Sequence, residues 1–258
     1  MSKINIKSTI NQSKFIKRLF RVINYIGFKI KHPMVPLIRP SAVGTYYSQD
    51  GQDLYLSALL FDHIKVGREA LIVDVGCNHP FKYSNSYFFE RHMGCRTIAI
   101  DPIAEYGELW KELRPTATFV ASALGKMKGT VTLNVPEVNA EYDDMFSTIT
   151  DGNPKVQGVG WVKRTVPCAT LSSVLEASGV NDILLLSIDV EGAELEVLEG
   201  IDFERFSIKC LIIENNTGNM YGTDSIRKML QARGYVFVSR IGFLDDVFLH
   251  ASLVTPLD

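Results

Sequence analysis

From residue 53 onward, short apolar runs alternate with stretches whose apolar residues recur every three to four positions. Residues 53–64 have helical spacing, and Ala70-Leu-Ile-Val-Asp-Val75 is a short buried strand ending at Gly76. The same reading predicts a helix over 86–93, a strand over 96–100, a helix over 106–113 and a strand over 118–122. Residues 130–134 predict a further strand extending the same region. Residues 136–162 are rich in Gly, Asn, Asp and Pro and read as one long loop. Loops of that length in compact domains are commonly functional or mobile. The second half predicts helices over 170–177, 193–198 and 225–233. Between and after them it predicts strands over 183–188, 209–213, 235–239 and 247–253. Such alternation implies an α/β domain with a mostly parallel, doubly wound sheet. No internal repeat or low-complexity segment interrupts it.

The first forty residues differ in kind. Residues 12–31 place Phe15, Ile16, Leu19, Phe20, Ile23, Ile26 and Ile30 against Lys14, Lys17, Arg18 and Arg21, the pattern of an amphipathic, surface-seeking helix. Pro33, Pro36 and Pro40 then break regular structure. We expect a basic N-terminal arm over 1–40 and a catalytic-sized domain over 41–258. Residues 1–49 hold nine basic residues and no acid, while the rest holds 18 basic against 29 acidic residues. A basic arm on an acidic body suggests an anionic partner, here a membrane surface rather than a specific nucleic acid. A homo-oligomer built through the arm's apolar face is the alternative. Cys77, Cys95, Cys168 and Cys210 show no metal-type spacing and read as reduced thiols. With no signal peptide and no apolar run of about 18 residues, the expected location is cytoplasmic, peripheral on the inner face of the membrane.

The chemistry concentrates at the predicted strand ends. Ser187-Ile-Asp-Val-Glu-Gly-Ala-Glu194 sets Asp189, Glu191 and Glu194 where a buried strand hands over to a helix. Ionised carboxylates near a core are costly unless compensated, and ligands of open α/β sheets bind at the carboxyl ends of the strands. Glu194, at a helix N-terminus, also has a purely structural reading. The first strand ends Val73-Asp-Val-Gly-Cys-Asn78, with Asn78 and Phe81 where a dinucleotide fingerprint would need glycines. A nicotinamide oxidoreductase is thereby disfavoured. Asp101-Pro102 closes the second strand, where an acid binds ribose hydroxyls. With Asp74 beside it, the set suits a cofactor with a ribose and a zwitterionic part, as in S-adenosylmethionine. Asp189, Glu214 and Asn215 end neighbouring strands, and their oxygens suit Mg²⁺ or another hard divalent cation. The alternative is that Glu214 caps a turn and Asp189 accepts backbone N–H bonds. His79 follows the cofactor loop as a candidate base, or as an ordinary loop residue beside Pro80. Asn85 and Ser86 read as helix caps.

These motifs resemble the FkbM family of methyltransferases, in the branch that opens Ser48-Gln-Asp-Gly-Gln-Asp53. The likeness continues through Asp74-Val-Gly-Cys-Asn78, Asn85-Ser-Tyr87, Asp101-Pro102, Arg114-Pro115, Met145-Phe-Ser-Thr148, Ile188-Asp-Val-Glu-Gly-Ala-Glu194 and Ile213-Glu-Asn-Asn216. It covers roughly residues 46–216. The resemblance implies a class I, Rossmann-like methyltransferase fold with an antiparallel last strand, and methylation of hydroxyl groups on sugars or polyketides. It implies a cofactor site of Gln49, Asp74, Gly76, Cys77, Asn78, Asn85, Asp101, Pro102, Ser122 and Asp189. The family usually has Ala at Cys77, often Glu at Asp101, Lys at Ser187 and Asp at Ser172. Loss of the lysine leaves the acceptor's identity open.

The expected protein is therefore an S-adenosylmethionine-dependent O-methyltransferase acting on a sugar, glycan or lipid-linked oligosaccharide, with Asp189, Glu191 and His79 as catalytic candidates. Transfer to a hydroxyl needs the acceptor oxygen aligned and its proton removed by a base or with the help of a metal. A second reading is a non-catalytic glycan- or membrane-associated binding domain on the same fold. The retained Asp74, Gly76, Asp101, Asp189, Glu191 and Glu214 favour activity.

Overall fold

The computed structural model describes residues 46–63, 70–137, 144–150, 153, 156, 158–215 and 222–254, with the strand at 37–38. The helix expected over 12–31 lies outside the described residues. The chain begins its described course with β1 (Leu37–Ile38) and α1 (Gln52–Leu59), followed by a 3-10 turn at Phe61–His63. Next come β2 (Leu71–Val75), α2 (Tyr87–Met93), β3 (Arg96–Asp101), α3 (Tyr106–Leu113) and β4 (Thr118–Ala121). After β5 (Ala123–Leu124), β6 (Gly129–Pro136) and β7 (Trp161–Ala169), the alternation resumes with α4 (Leu171–Ser178), β8 (Asp182–Ile188), α5 (Glu194–Glu199) and β9 (Ser207–Glu214). It ends with α6 (Asp224–Gln231), β10 (Tyr235–Ile241) and β11 (Asp245–His250).

The main sheet has the order β1-β10-β11-β9-β8-β2-β3-β4. β4, β3, β2, β8 and β9 are mutually parallel, and β11 runs antiparallel to both β9 and β10. The expected mostly parallel sheet with an antiparallel last strand is what forms. Every residue of β2 is buried, and β8 is buried from Ile183 onward. Strands covered on both faces read as continuous apolar runs. One core layer joins α4, α5 and α6 to Val73, Ile100, Leu186 and Leu211. The opposite layer joins α1 and α2 to Ile72, Leu185 and Ile212. Thr170 caps α4 by accepting from the Ser173 N–H, and Gly179 closes that helix in the left-handed region.

Two expectations are corrected. Residues 130–134 do form a strand, but not in the main sheet. β6 pairs antiparallel with β7 along its whole length, and β5 runs parallel to β7, making a separate three-stranded sheet. The expected loop at 136–162 is shorter than it reads, because Trp161 and Val162 already belong to β7. Four successive exposed residues and Pro167 hide the strand's alternation. The small sheet packs Leu133, Val135, Val166 and Cys168 onto Ile103 and Ala123, beside the carboxyl ends of β3 and β4.

A buried charge network anchors the last hairpin. Asp246, wholly buried, accepts from Arg240 at 2.5 Å and from Arg227 Nε at 2.8 Å, while the Asn215 amide donates to it at 2.7 Å. Arg240 also donates to the Asn215 and Phe243 carbonyls. Such a cluster is tolerated only when its members satisfy one another. It fixes the end of β9, and so Glu214, against the start of β11. All four cysteines are buried and unpaired. Among the described residues no helix is long and apolar enough to cross a membrane.

Candidate functional site

The turn after β2 meets the turn after β8 almost atom on atom. Gly76 has φ +77°, and a Cβ built there would lie 1.7 Å from the Asp189 carbonyl oxygen. Only glycine fits such a contact in that conformation. The Asp189 N–H donates to the Val75 carbonyl, and the Gly76 N–H to that of Ile100. Two cavities flank this crossing. The first lies toward β3, β4 and the small sheet and is walled by Asp101, Pro102, Ile103, Ala123, Leu133 and Ile149. The second, the larger, opens toward β9, β11 and α1. Gly76, Asn78, Met145, Asp189 and Glu191 line both.

The first cavity is built around Asp101. Its two carboxylate oxygens accept the Asn78 and Ile103 N–H groups, each at 2.9 Å. Burial pushes its pKa up to about 6 against those bonds, and Asp144 and Asp74 push the same way. Asn78 sits at φ 42°, its carbonyl accepting the Trp110 indole N–H at 2.8 Å. The Asp144 carboxylate accepts from the Tyr106 hydroxyl at 2.7 Å and from the Asn78 amide at 3.3 Å. Ser122 lines the wall, but its hydroxyl donates to the Ala123 carbonyl.

Asp74 lines neither cavity. It is buried in mid-strand, and its Oδ2 has no hydrogen-bond partner. Burial raises its pKa, while Ser86, Arg114 and Ser187 oppose the rise. Ser187 stands level with Asp74 on the neighbouring strand. Asn85 lines the second cavity, donates to the Ser187 hydroxyl at 3.0 Å, and has a buried Oδ1 without a donor. Cys77 lines the same cavity, its thiol held neutral by burial and by Asp101 and Asp74. Arg114, absent from the sequence-derived site, organises this region. Its guanidinium donates to the Pro80 carbonyl, Ser84, Ser86, Thr97 and Glu90, and lies 4.4 Å from the Trp110 ring centroid.

The second cavity holds the acids. Asp189, Glu191 and Glu214 each offer a carboxylate oxygen, all within 4.8 Å of one another. Asn215 does not join them. Its Oδ1 accepts from the Thr223 N–H and hydroxyl, and its amide donates to Asp246 and to the Thr223 carbonyl. The structure thus groups Asp189 and Glu214 with Glu191, where the expected set had Asn215. Glu191 is held at φ 56°, its carbonyl accepting from Thr148 at 2.8 Å and its carboxylate from the Asn153 amide at 2.9 Å. Non-glycine residues kept in that region cost about 1–3 kcal/mol and cluster at functional sites. Glu194 is buried and accepts the Val190 and Gly192 N–H groups, bracing the turn rather than facing either cavity; burial raises its pKa to about 7.

Two segments close the chamber. Asn134 forms an isolated bridge with Thr148 and donates to the Thr150 carbonyl, laying Met145-Phe-Ser-Thr148 across both cavities. On the other side the Ser48–Asp53 segment is a brace. Asp53, wholly buried, accepts the Tyr47 N–H at 2.6 Å, and Gln52 donates to Asp245 at 2.9 Å. Gln49, Gln52 and Asp245 line the cavity. His79 lines neither. Its Nδ1 accepts the Phe81 and Lys82 N–H groups, and burial, with Lys82, lowers its pKa. With Nδ1 so used and the proton on Nε2, the neutral ring holds a turn and has no lone pair facing the acids.

A family model for the methyltransferase FkbM domain matches residues 74–237. The chain belongs to this family. With its sheet order, membership makes it a class I fold, S-adenosylmethionine-dependent methyltransferase. Among solved structures it is similar to a putative ribosomal RNA methyltransferase from Plasmodium falciparum, at 12% identity and TM-score 0.37 over 80% of this chain and 97% of that one. It is also similar to the METTL16 MTase domain, at 10% identity and TM-score 0.42 over 85% and 75%. No curated protein matches. The site fits the family's cofactor. Asp101 closes β3 in the first cavity, and the buried Asn85 Oδ1, without a donor in the cavity that Gly76 also lines, suits a cationic ammonium.

Burial of Asp245 raises its pKa from 3.8 to about 7, and the negative Asp189 adds to the rise. A carboxyl raised on folding stabilises the native state below its unfolded pKa and loses that contribution as pH rises through the folded value. Asp245→Asn should therefore gain melting temperature relative to wild type as pH rises from about 4 to about 7, then hold a constant advantage. Scanning calorimetry across that range checks it; a pH-independent difference would mean that Asp245 is ionised in the native protein.

Proposed function

We propose that this enzyme transfers a methyl group from S-adenosylmethionine to a hydroxyl of a sugar, glycan or glycolipid. The observation that carries the reading is the wall common to the two cavities. Asp189 and Glu191 face a chamber with a ribose-type acid on one side and a polar chamber on the other. In this reading Asp101 accepts from the ribose hydroxyls in the first cavity, and the amino-acid part passes the glycine turn toward Asn85. The acceptor occupies the larger chamber among Gln49, Gln52, Glu214 and Asp245.

A sugar hydroxyl is a weak acid, so its proton must be drawn off during transfer. Asp189, Glu191 and Glu214 form an all-oxygen set of the kind that holds Mg²⁺ or Mn²⁺. A cation bound there would lower the pKa of a coordinated hydroxyl. Asp189, nearest the shared wall, then orients the acceptor oxygen and receives its proton. Chelator should abolish transfer of label from S-adenosylmethionine to glycan extracts, and Mg²⁺ or Mn²⁺ should restore it. Asp189→Ala should still bind S-adenosylmethionine but lose transfer by about 100-fold or more. The label should survive alkali as a methyl ether. Release as methanol would identify a carboxylate acceptor and contradict O-methylation of a hydroxyl, and full activity in excess chelator would leave Asp189 as a base acting without metal.

The basic arm brings the enzyme to its acceptor in the same reading. Nine cations without an acid, each worth about 1 kcal/mol near an anionic bilayer, favour peripheral attachment to the cytoplasmic leaflet, where lipid-linked glycans are exposed. The full chain should float with anionic liposomes at low salt and dissociate at high salt, and a chain lacking residues 1–40 should stay unbound. Failure of the full chain to bind at low salt assigns the arm to protein contacts instead.

A further inference from the structure

We infer that Tyr83 is the platform on which the acceptor's sugar ring stacks, at the rim of the larger chamber; the inference rests on the reading of the protein as a sugar methyltransferase. Tyr83 is 47% exposed. Of the large apolar side chains exposed among the described residues, it is the one that lines either of the two cavities. Its backbone lies at φ 59°, a genuine outlier for a bulky residue. Both flanks enforce that conformation. On one side the His79 ring accepts the Phe81 and Lys82 N–H groups. On the other, Ser84 is buried, receives Arg114 at 3.3 Å and accepts the Tyr87 N–H at 3.1 Å. Backbone pinned on both sides sets the aromatic side chain at the cavity edge, where it gives contact area at a reduced cost in conformational entropy.

The occupant follows from the chemistry around the ring. The chamber offers amides and carboxylates from Gln49, Gln52, Glu214 and Asp245. These suit a ligand with many hydroxyls. A pyranose combines hydroxyls at its edge with an apolar C–H face, and that face packs on an aromatic ring. A cationic acceptor fits less well, because the Lys82 ammonium already lies 5.2 Å from the Tyr83 ring centroid.

The test uses the full chain loaded with S-adenosylhomocysteine and the methyl glycosides of glucose, mannose, rhamnose and fucose. Saturation-transfer NMR on the wild type should light the C–H protons of one ring face of at least one glycoside. Tyr83→Ala should weaken that glycoside about ten-fold, equivalent to about 1.4 kcal/mol, and erase the face pattern. Tyr83→Phe and Tyr83→Trp should keep it, and S-adenosylmethionine affinity should be unchanged in all three. Equal binding and an unchanged pattern in Tyr83→Ala would overturn the platform while leaving sugar methylation intact. Failure of every glycoside to bind the wild type, with or without binding of adenosine in their place, would overturn both.

Discussion

The contact between Gly76 and the Asp189 carbonyl governs the architecture of the site. Two strand ends of a parallel sheet are brought within a distance that leaves no room for a Cβ. Everything catalytic in the proposal is arranged about that crossing. One side becomes a smaller chamber against the small sheet, the other a larger polar chamber against the last hairpin, and Asp189 belongs to both. A methyl donor and an acceptor held on the two sides would meet there, as an in-line transfer requires.

The surroundings show what it takes to hold acids at such a crossing. Asp101, Glu194 and Asp245 all have raised pKa values, with burial as the first cause. Asp74 is buried with one oxygen unpartnered, and Glu191 sits in strained backbone. These features cost stability, and in the proposed function a cationic ligand offsets part of that cost. Compensation comes from rigid scaffolding outside the chambers. Arg114 ties the loop after β2 to α2 and α3, and the Arg227–Asp246–Arg240 cluster fixes the end of β9 against the last hairpin.

The parallel core was legible because its strands are short apolar runs between amphipathic helices, and the strand ends carry Gly76, Asp101 and Asp189. Asn215 was misread because sequence adjacency to Glu214 does not fix direction. Successive residues of a strand point to opposite faces, and Asn215 turns to Thr223 and Asp246. Glu191 itself takes a positive φ that is not written in its residue type. Asp245 reaches the site from a distant segment, and Arg114 braces the loop after β2 from the end of α3; only the fold brings them there. β7 was invisible because most of its residues are solvent-facing, so its alternation is weak. The Met145–Thr148 motif is legible as a likeness, but its physical role as a strap depends on the bridge between Asn134 and Thr148.

The central claim is that the chamber around Asp101 holds S-adenosylmethionine. Titration calorimetry of the cofactor into wild type and Asp101→Ala, with melting temperature checking that the variant is folded, tests it most directly. The expected result is a saturable single site in the wild type, weakened by about 1.5–3 kcal/mol in the variant, the range for hydrogen bonds to a charged group. Unchanged affinity in a folded Asp101→Ala protein would contradict it.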